Sequence, residues 1–430
     1  MPLLADRRSP PAAALIAPSM PSSEHQSSPI SFMNVASGHL RLLLVAAMSD
    51  SVTGLARDLF LLDEHIETAL RSDTAGTLAL LDAENFDAIA VDLHLPGDVA
   101  GLLGIVANRH PGIIRLVIAD DPADPLFSHA AHLAHCLLPR PCDAGAIHNA
   151  IHDTLATARR MRDPALSAAV AGILALPESP AMRRELLGLL ADEETSVEHV
   201  EEAVQKNPAI AAKLLQISNS AYYGSRGSVA SIGEAVSMLG LDTVRGIVTS
   251  AHLFEAMPAA ALKGTSAADI WSHSVACAVM VRRIAWHVRA SVNVNRAAFT
   301  AALLHDVGKL VMALAHGEAY GELRRRPPTH PLWQDEERAF GHHHGTAGAL
   351  LLELWGLPSV VVESVALHHT PHRARESTIS PLTLVHLANA LVHSENAGQL
   401  AEARLDGGYL QRLLLPAKLE LWQAALTAEV

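Results

Sequence analysis

From Leu40 onward, short apolar runs alternate with segments whose apolar positions recur at helical spacing, the pattern of a parallel sheet wound with helices. Leu42–Ala47 reads as a strand, Val52–Leu62 as a helix and His65–Leu70 as a second strand. Thr74–Ala83 has helical period, and Asp87–Asp92 reads as a buried strand ending in an acid. Ile113–Ala119 and His135–Leu138 supply two more strands, and a helix follows from Asp143 to about Met161. Five strands with intervening helices make a flavodoxin-like α/β unit. After Asp163-Pro164 the strand signal disappears. Loops marked by Pro177, Pro180, Asn207-Pro208, Gly224, Gly227, Pro258, Pro327-Pro328 and Pro371 then cut the chain into many helices, with no internal repeat.

The expected organisation is therefore an α/β unit over 39–162, an all-helical unit over 163–395 and a helical extension over 396–430 that packs on the main body. Residues 1–38 are rich in Pro, Ser and Ala without sustained period, so they cannot bury enough surface to offset ordering entropy and are expected to be disordered.

Half of the residues are hydrophobic, enough for a sizeable core, and the 4% aromatic content favours closely packed helices. A formal net charge of −13 excludes a surface that coats nucleic acid, since phosphate binding needs clustered Lys and Arg. Cys136, Cys142 and Cys277 have no metal-ligand spacing and fit a reducing compartment. The apolar stretch Ala12–Ala17 is too short, and too broken by Pro11 and Pro18, for a secretory signal. No window is expected to reach a membrane span, because the longest apolar candidates carry His305, Asp306 and Lys309 in their middle. A cytoplasmic protein without membrane contact is expected.

In a sheet wound this way, reactive groups gather at the carboxyl ends of the strands, and Asp92 in Asp87-Ala-Ile-Ala-Val-Asp92-Leu-His-Leu-Pro96-Gly97 sits at such an end. Residues 40–160 resemble the response-regulator receiver family, and Leu137-Leu-Pro-Arg140-Pro141-Cys-Asp143 is similar to its strand-end Lys-Pro segment. The resemblance implies Asp92 as phosphoacceptor, with Mg²⁺ neutralising the transferred charge. The family's acidic pair, however, falls on Ala46 and Ala47, its hydroxyl residue on Ala119 and its Lys on Arg140, while Asp50 and Asp120 lie outside the matching positions. Without those carboxylates Mg²⁺ is not expected here. A degenerate receiver used for docking or dimerisation is set against a phospho-switch at Asp92.

Beyond Ala165 the chain resembles the HDOD family, a branch of the HD metal-dependent phosphohydrolase superfamily. The resemblance rests on Ile173-Leu-Ala-Leu-Pro177, on the stretch from Asn207 through Lys213, Ser218, Asn219, Ser220, Ala221 and Tyr222 to Gly224, and on Ile232 to Gly240. His273, His305 with Asp306, His344, and His368 with His369 follow the order of the superfamily's metal motif, which implies a divalent transition metal (Zn, Mn or Fe) held by those residues. Adjacent helical residues project roughly 100° apart, so a groove between helices can receive both His305 and Asp306. Lys309 reads either as a catalytic contact to a substrate phosphate or as a solvated helix residue. His342 and His343 match no motif position and read as solvated loop residues, and isolated histidines such as His252 and His287 as core or helix-end contacts. Asn219, Ser220 and Tyr222 are expected to cap helices and set a turn, with Trp271 and Trp355 in the core.

Two departures matter. The final Asp of the motif is Asn389, and the residues after His368-His369 lack the Gly-Tyr-Pro element of the related cyclic-di-GMP phosphodiesterases. The resemblance implies a signal-transduction regulatory protein in which a degenerate receiver is coupled to an HDOD output domain acting through protein or ligand binding. Partners of that kind are signalling proteins, a histidine kinase or a cyclic-dinucleotide pathway protein, a nucleotide ligand or a second copy of the chain. The alternative is a metal-dependent phosphohydrolase acting on a nucleotide second messenger. The motif string supports the enzyme, and Asn389 counts against it.

Overall fold

The computed structural model describes residues 39–121, 124–160, 163–173, 176–177, 180–192, 194–224, 228–249, 262–327, 330–375, 378–397 and 405–413. The segment expected to be disordered, His252 and most of the C-terminal extension lie outside the described residues.

The strands are β1 (Leu40–Val45), β2 (Ile66–Arg71), β3 (Ala88–Asp92), β4 (Ile114–Ala119) and β5 (Cys136–Pro139), all parallel in the order β2-β1-β3-β4-β5. β1 starts two residues earlier than its apolar run suggests, because Leu40 already pairs with Ile66 across the ladder. Every residue of β3 and β4 is buried, as expected of strands covered on both faces. The helices of this unit are α1 (Asp50–Leu62), α2 (Thr74–Ala83), α3 (Val99–Arg109), α4 (Pro125–Leu133) and α5 (Ala144–Arg160). Ser49, Asp73, Asp98 and Asp124 start α1 to α4 by accepting hydrogen bonds from backbone N–H groups of the first turn, which would otherwise be orphaned. Arg115 of β4 is fully buried, and its guanidinium donates to the carbonyls of Leu133 (2.9 Å) and Ile113 (3.0 Å).

The remaining chain is helical among the described residues: α6 (Pro164–Gly172), α7 (Pro180–Leu190), α8 (Val197–Gln205), α9 (Pro208–Ser218), α10 (Ile232–Leu239), α11 (Leu241–Thr249) and α12 (Ala267–His287) come first. They are followed by α13 (Val292–Leu304), α14 (Gly308–Arg325), α15 (Leu332–Phe340), α16 (His344–Leu354), α17 (Ser359–Leu367), α18 (Pro381–Ala397) and α19 (Gly407–Arg412). Val292–Arg325 does reach the length and hydropathy of a membrane span, contrary to the sequence expectation. It is broken by the turn at His305–Val307, and 89% of its apolar window is buried inside the protein. Of the C-terminal extension, α19 packs inward through Tyr409 and Leu410, with a 2.6 Å hydrogen bond between the Tyr409 and Thr383 hydroxyls.

One apolar cluster runs from the α3–α4 face of the sheet into the helical unit, while the α1–α5 face closes a second, separate cluster. At the junction the Phe127 ring lies 5.1 Å from that of Tyr222, and the Tyr222 hydroxyl donates to the Asp120 carbonyl at 2.6 Å. Tyr222 thus reaches across to the α/β unit rather than merely setting a turn. Asn219 does brace its loop, donating to the carbonyls of Leu215 and Val229 and accepting from Val229 N–H. Ser220 returns its hydroxyl to the Ile217 carbonyl, and Trp271 and Trp355 are buried.

Candidate metal centre

α13 is buried without a break from Ala297 to Leu304, which drives the turn that follows it into the middle of the helical unit. His305 and Asp306 therefore lie in the turn between α13 and α14, not on a helix face as their adjacency suggested. His305 caps α13 and turns its Nδ1 onto the Ala302 carbonyl at 2.7 Å. His368 repeats the device at the end of α17, with Nδ1 on the Val365 carbonyl at 2.7 Å. A backbone carbonyl can only accept, so each Nδ1 carries the proton and each Nε2 presents a lone pair. His305 Nε2 and His368 Nε2 are buried without a hydrogen-bond partner, as is Asp306 Oδ1, a costly state for three polar atoms in one place.

The structure brings the other five expected ligands together around Asp306. Its carboxylate lies 3.5 Å from His305 Nε2, 3.3 Å from His344 Nε2 and 3.9 Å from His273 Nε2. His369 Nε2 approaches His344 Nε2 at 3.0 Å, and His344, His368 and His369 form one group with ligand-like spacing. His305, Asp306 and His368 form a second such group. His273 also has its Nε2 3.0 Å from Asn389 Oδ1, a neutral oxygen where the motif would place an acid. Cys277, one helical turn on, places its sulfur 3.5 Å from the same nitrogen and makes a third group with His273 and His305.

Burial pushes the His305 imidazole down to about 4, and burial with neighbouring imidazoles holds His368 and His369 well below the ordinary histidine value. Neutral rings of this kind are what a metal requires. For Asp306, burial opposes the charge, but His305, Lys309 and His344 outweigh it and keep the carboxyl well below its usual range. Lys309 Nζ sits on Asp306 Oδ2 at 2.5 Å with its side chain 15% exposed, so it is not a solvated helix residue.

Sequence reasoning missed Glu336. It is fully buried on α15, accepts from His344 Nδ1 at 2.6 Å and from the Tyr320 hydroxyl at 2.7 Å, and so orients the His344 ring as outer-shell carboxylates do around metals. The spacing of α16 from the turn depends on Gly308: a Cβ there would lie 1.8 Å from the His344 carbonyl oxygen. His343 is a correction, for it is buried and its Nδ1 accepts from Gly345 N–H at the start of α16. His342 is also withdrawn from solvent, 3.1 Å from His316 through their Nε2 atoms. His287 lies at the end of α12 against Trp286. The donor set fits a divalent metal: the neutral imidazoles of His305, His368 and His369 converge with one carboxylate, while at His344 burial is outweighed by Glu336 and Asp306, which raise its pKa, so this ring would release its proton to bind an ion.

At the carboxyl edge of the sheet, Asp92 Oδ1 accepts from His94 N–H at 2.9 Å and from Arg140 Nη2. Arg140 Nε also holds Asp120 at 2.6 Å. Partial burial works against the Arg140 charge, yet Asp92 and Asp120 outweigh it and raise its pKa. Ala46 and Ala47 offer no oxygen beyond the backbone, so the guanidinium stands where a hydrated cation would need carboxylates.

Residues 176–371 match the family model of the HDOD domain. A curated protein from Treponema pallidum (strain Nichols), itself uncharacterised, is 22% identical over 222 residues, 50% of this chain and 42% of its own length. This chain thus spans about two fifths of the curated relative it matches. Among solved structures, the MmoQ response regulator from Methylococcus capsulatus is 26% identical, covering 56% of this chain and 98% of its own, with a TM-score of 0.44. A virulence factor from Campylobacter jejuni is 20% identical, covering 62% of this chain and 92% of its own, with a TM-score of 0.45. The chain carries an HDOD domain over residues 176–371, set behind a five-stranded parallel α/β domain.

Proposed function

We propose that this is a signal-transduction protein that works by binding a partner or ligand rather than by turnover. The observation that carries the reading is a parallel between the two domains: each carboxylate on which phosphoryl chemistry would depend is already occupied by an internal cation, Asp92 by Arg140 and Asp306 by Lys309. The α/β domain then acts as a docked module without a phosphorylation cycle. In the HDOD domain His305, Asp306, His344 and His368 are buried, which favours a structural or binding role for them over contact with a substrate. A metal there ties α13, α16 and α17 together. When bound it would also supply Lewis-acid polarisation.

A cavity of about 770 Å³ between α8, α10, α12 and α13 offers a surface for recognition, with Arg282, Arg289, Arg296 and Phe299 in its wall and Trp286 beside it, 74% exposed. Its chemistry suits an acidic segment of a signalling protein, such as one in a cyclic-dinucleotide pathway, or a nucleotide. The sparse cysteines, without metal-ligand spacing, fit a cytoplasmic setting. The orphaned nitrogens of His305 and His368 favour a second reading, a metal-dependent phosphohydrolase acting on a nucleotide second messenger.

The test is metal analysis of the purified full chain together with assays on cyclic dinucleotides, ppGpp and nucleoside phosphates. Bound transition metal without turnover is the expected result. Turnover that disappears in His305→Ala would overturn the binding reading in favour of the hydrolase.

A further inference from the structure

Apart from the HDOD centre, three side chains from separate parts of the chain converge beside the junction of the two domains. Asp163 is the N-cap of α6, the first described residue after α5. Its Oδ1 is spent on the helix, accepting from Ala165 N–H at 2.8 Å and Leu166 N–H at 3.4 Å. Its Oδ2 faces two imidazoles, 3.8 Å from His316 Nε2 and 3.9 Å from His342 Nε2, and those nitrogens are 3.1 Å apart.

Each ring is delivered by a break in a helix. His316 immediately precedes Gly317, whose φ of 48° kinks α14, and His342 follows Gly341, whose φ of 78° ends α15. The His316 ring stacks on Phe340 at 4.1 Å. Both imidazole side chains are only 11% exposed. The carboxylate oxygen and the His316 nitrogen are thus pre-oriented by contacts made through the other atoms of their side chains.

A simple hydrogen bond between the two rings would account for their 3.1 Å separation, but not for a carboxylate oxygen almost equidistant from both. Three atoms at these separations share a point about 2.1 Å from each, the length of a zinc–nitrogen or zinc–oxygen bond. We propose that Asp163, His316 and His342 form a second metal site, separate from the HDOD centre, that takes a divalent transition ion of the Zn²⁺ class through an N,N,O set with one position open to solvent. Because Asp163 opens the helical part of the chain, the ion fastens the segment entering the HDOD domain to α14 and to the α15–α16 turn. None of its ligands belongs to the HDOD centre, so the two sites load independently.

The experiment uses the full chain, stripped with chelator and reloaded with Zn²⁺ or Co²⁺. Metal is counted by mass spectrometry, Co²⁺ coordination is followed by visible absorption, and circular dichroism verifies folding. His316→Ala and His342→Ala should each lose the same single equivalent of metal, while His305→Ala should lose a different one and the double variant His305→Ala/His316→Ala should lose both. Asp163→Asn, which keeps the N-cap but removes the anion, should weaken that equivalent tenfold or more. Wild-type protein and both His316→Ala and His342→Ala holding equal metal at saturating Zn²⁺ would overturn the site. So would an Asp163→Asn chain that is folded and binds Zn²⁺ as tightly as wild type.

Discussion

The two carboxylates, Asp92 at the edge of the sheet and Asp306 between two helices, each face a basic side chain, yet their surroundings differ in kind. Asp92 sits in a closed network, where His94 N–H and Arg140 satisfy Oδ1 and Arg140 passes on to Asp120. Asp306 sits in an open one, where Lys309 takes Oδ2 while Oδ1 and the nearby Nε2 atoms of His305 and His368 remain unsatisfied in the interior. Burial without partners is costly, and a cation bound there would remove that cost. At the sheet edge a guanidinium closes the carboxylates of Asp92 and Asp120; in the helical domain two ring nitrogens and a carboxylate oxygen stay without a hydrogen-bond partner.

The largest effect expected from breaking this contrast comes from Asp306→Ala. It strands the Lys309 ammonium, only 15% exposed, and should cost about 3–5 kcal/mol in urea unfolding. Asp92→Ala should cost about 1 kcal/mol or less, because Arg140 is 38% exposed and retains Asp120. Equal losses would remove the distinction between the sites.

Lys213 of α9 sharpens the comparison, since it donates to the His132 carbonyl and the Gln216 side chain, and its pKa is pushed down to about 7 by burial, aided by the Arg115 charge. The unfolded chain holds this proton up to the ordinary lysine range near 10.5, whereas the folded chain releases it near 7. Folding should therefore gain from this group as pH rises between those values, by at most about 1.4 kcal/mol per pH unit. Lys213→Met should flatten that part of the stability profile. The smallest effect belongs to Tyr222→Phe, which removes the hydroxyl that joins the HDOD domain to the loop holding Asp120 and should cost about 0.5 kcal/mol with the fold retained.

What the sequence made legible was whatever is written in local period or in motif order. The strands around β3 and β4 were visible because both faces are apolar, and His305, Asp306, His344, His368 and His369 because their order along the chain resembles a metal motif. Glu336 escaped because in Leu332-Trp-Gln-Asp-Glu336-Glu-Arg it looks like one more charge on a solvated face, and only His344 and Tyr320 make its burial tolerable. His316 and His342 were hidden for the same reason: 26 positions apart, each is unremarkable until two helix breaks turn them toward each other. The pairing of Lys309 was not legible because its partner is the motif's own acid, three residues before it. Long-range pairing of polar groups leaves no periodic trace.

Gly308 sets the tolerance of the whole HDOD centre. With α16 resting directly on the backbone at that position, the gap between the residue-306 carboxylate and the residue-344 ring is calibrated by a spacer of no thickness. Even one methyl group would lever α16 outward, so drift at this position is closed to the chain while every imidazole around it could remain in place and still fail to meet.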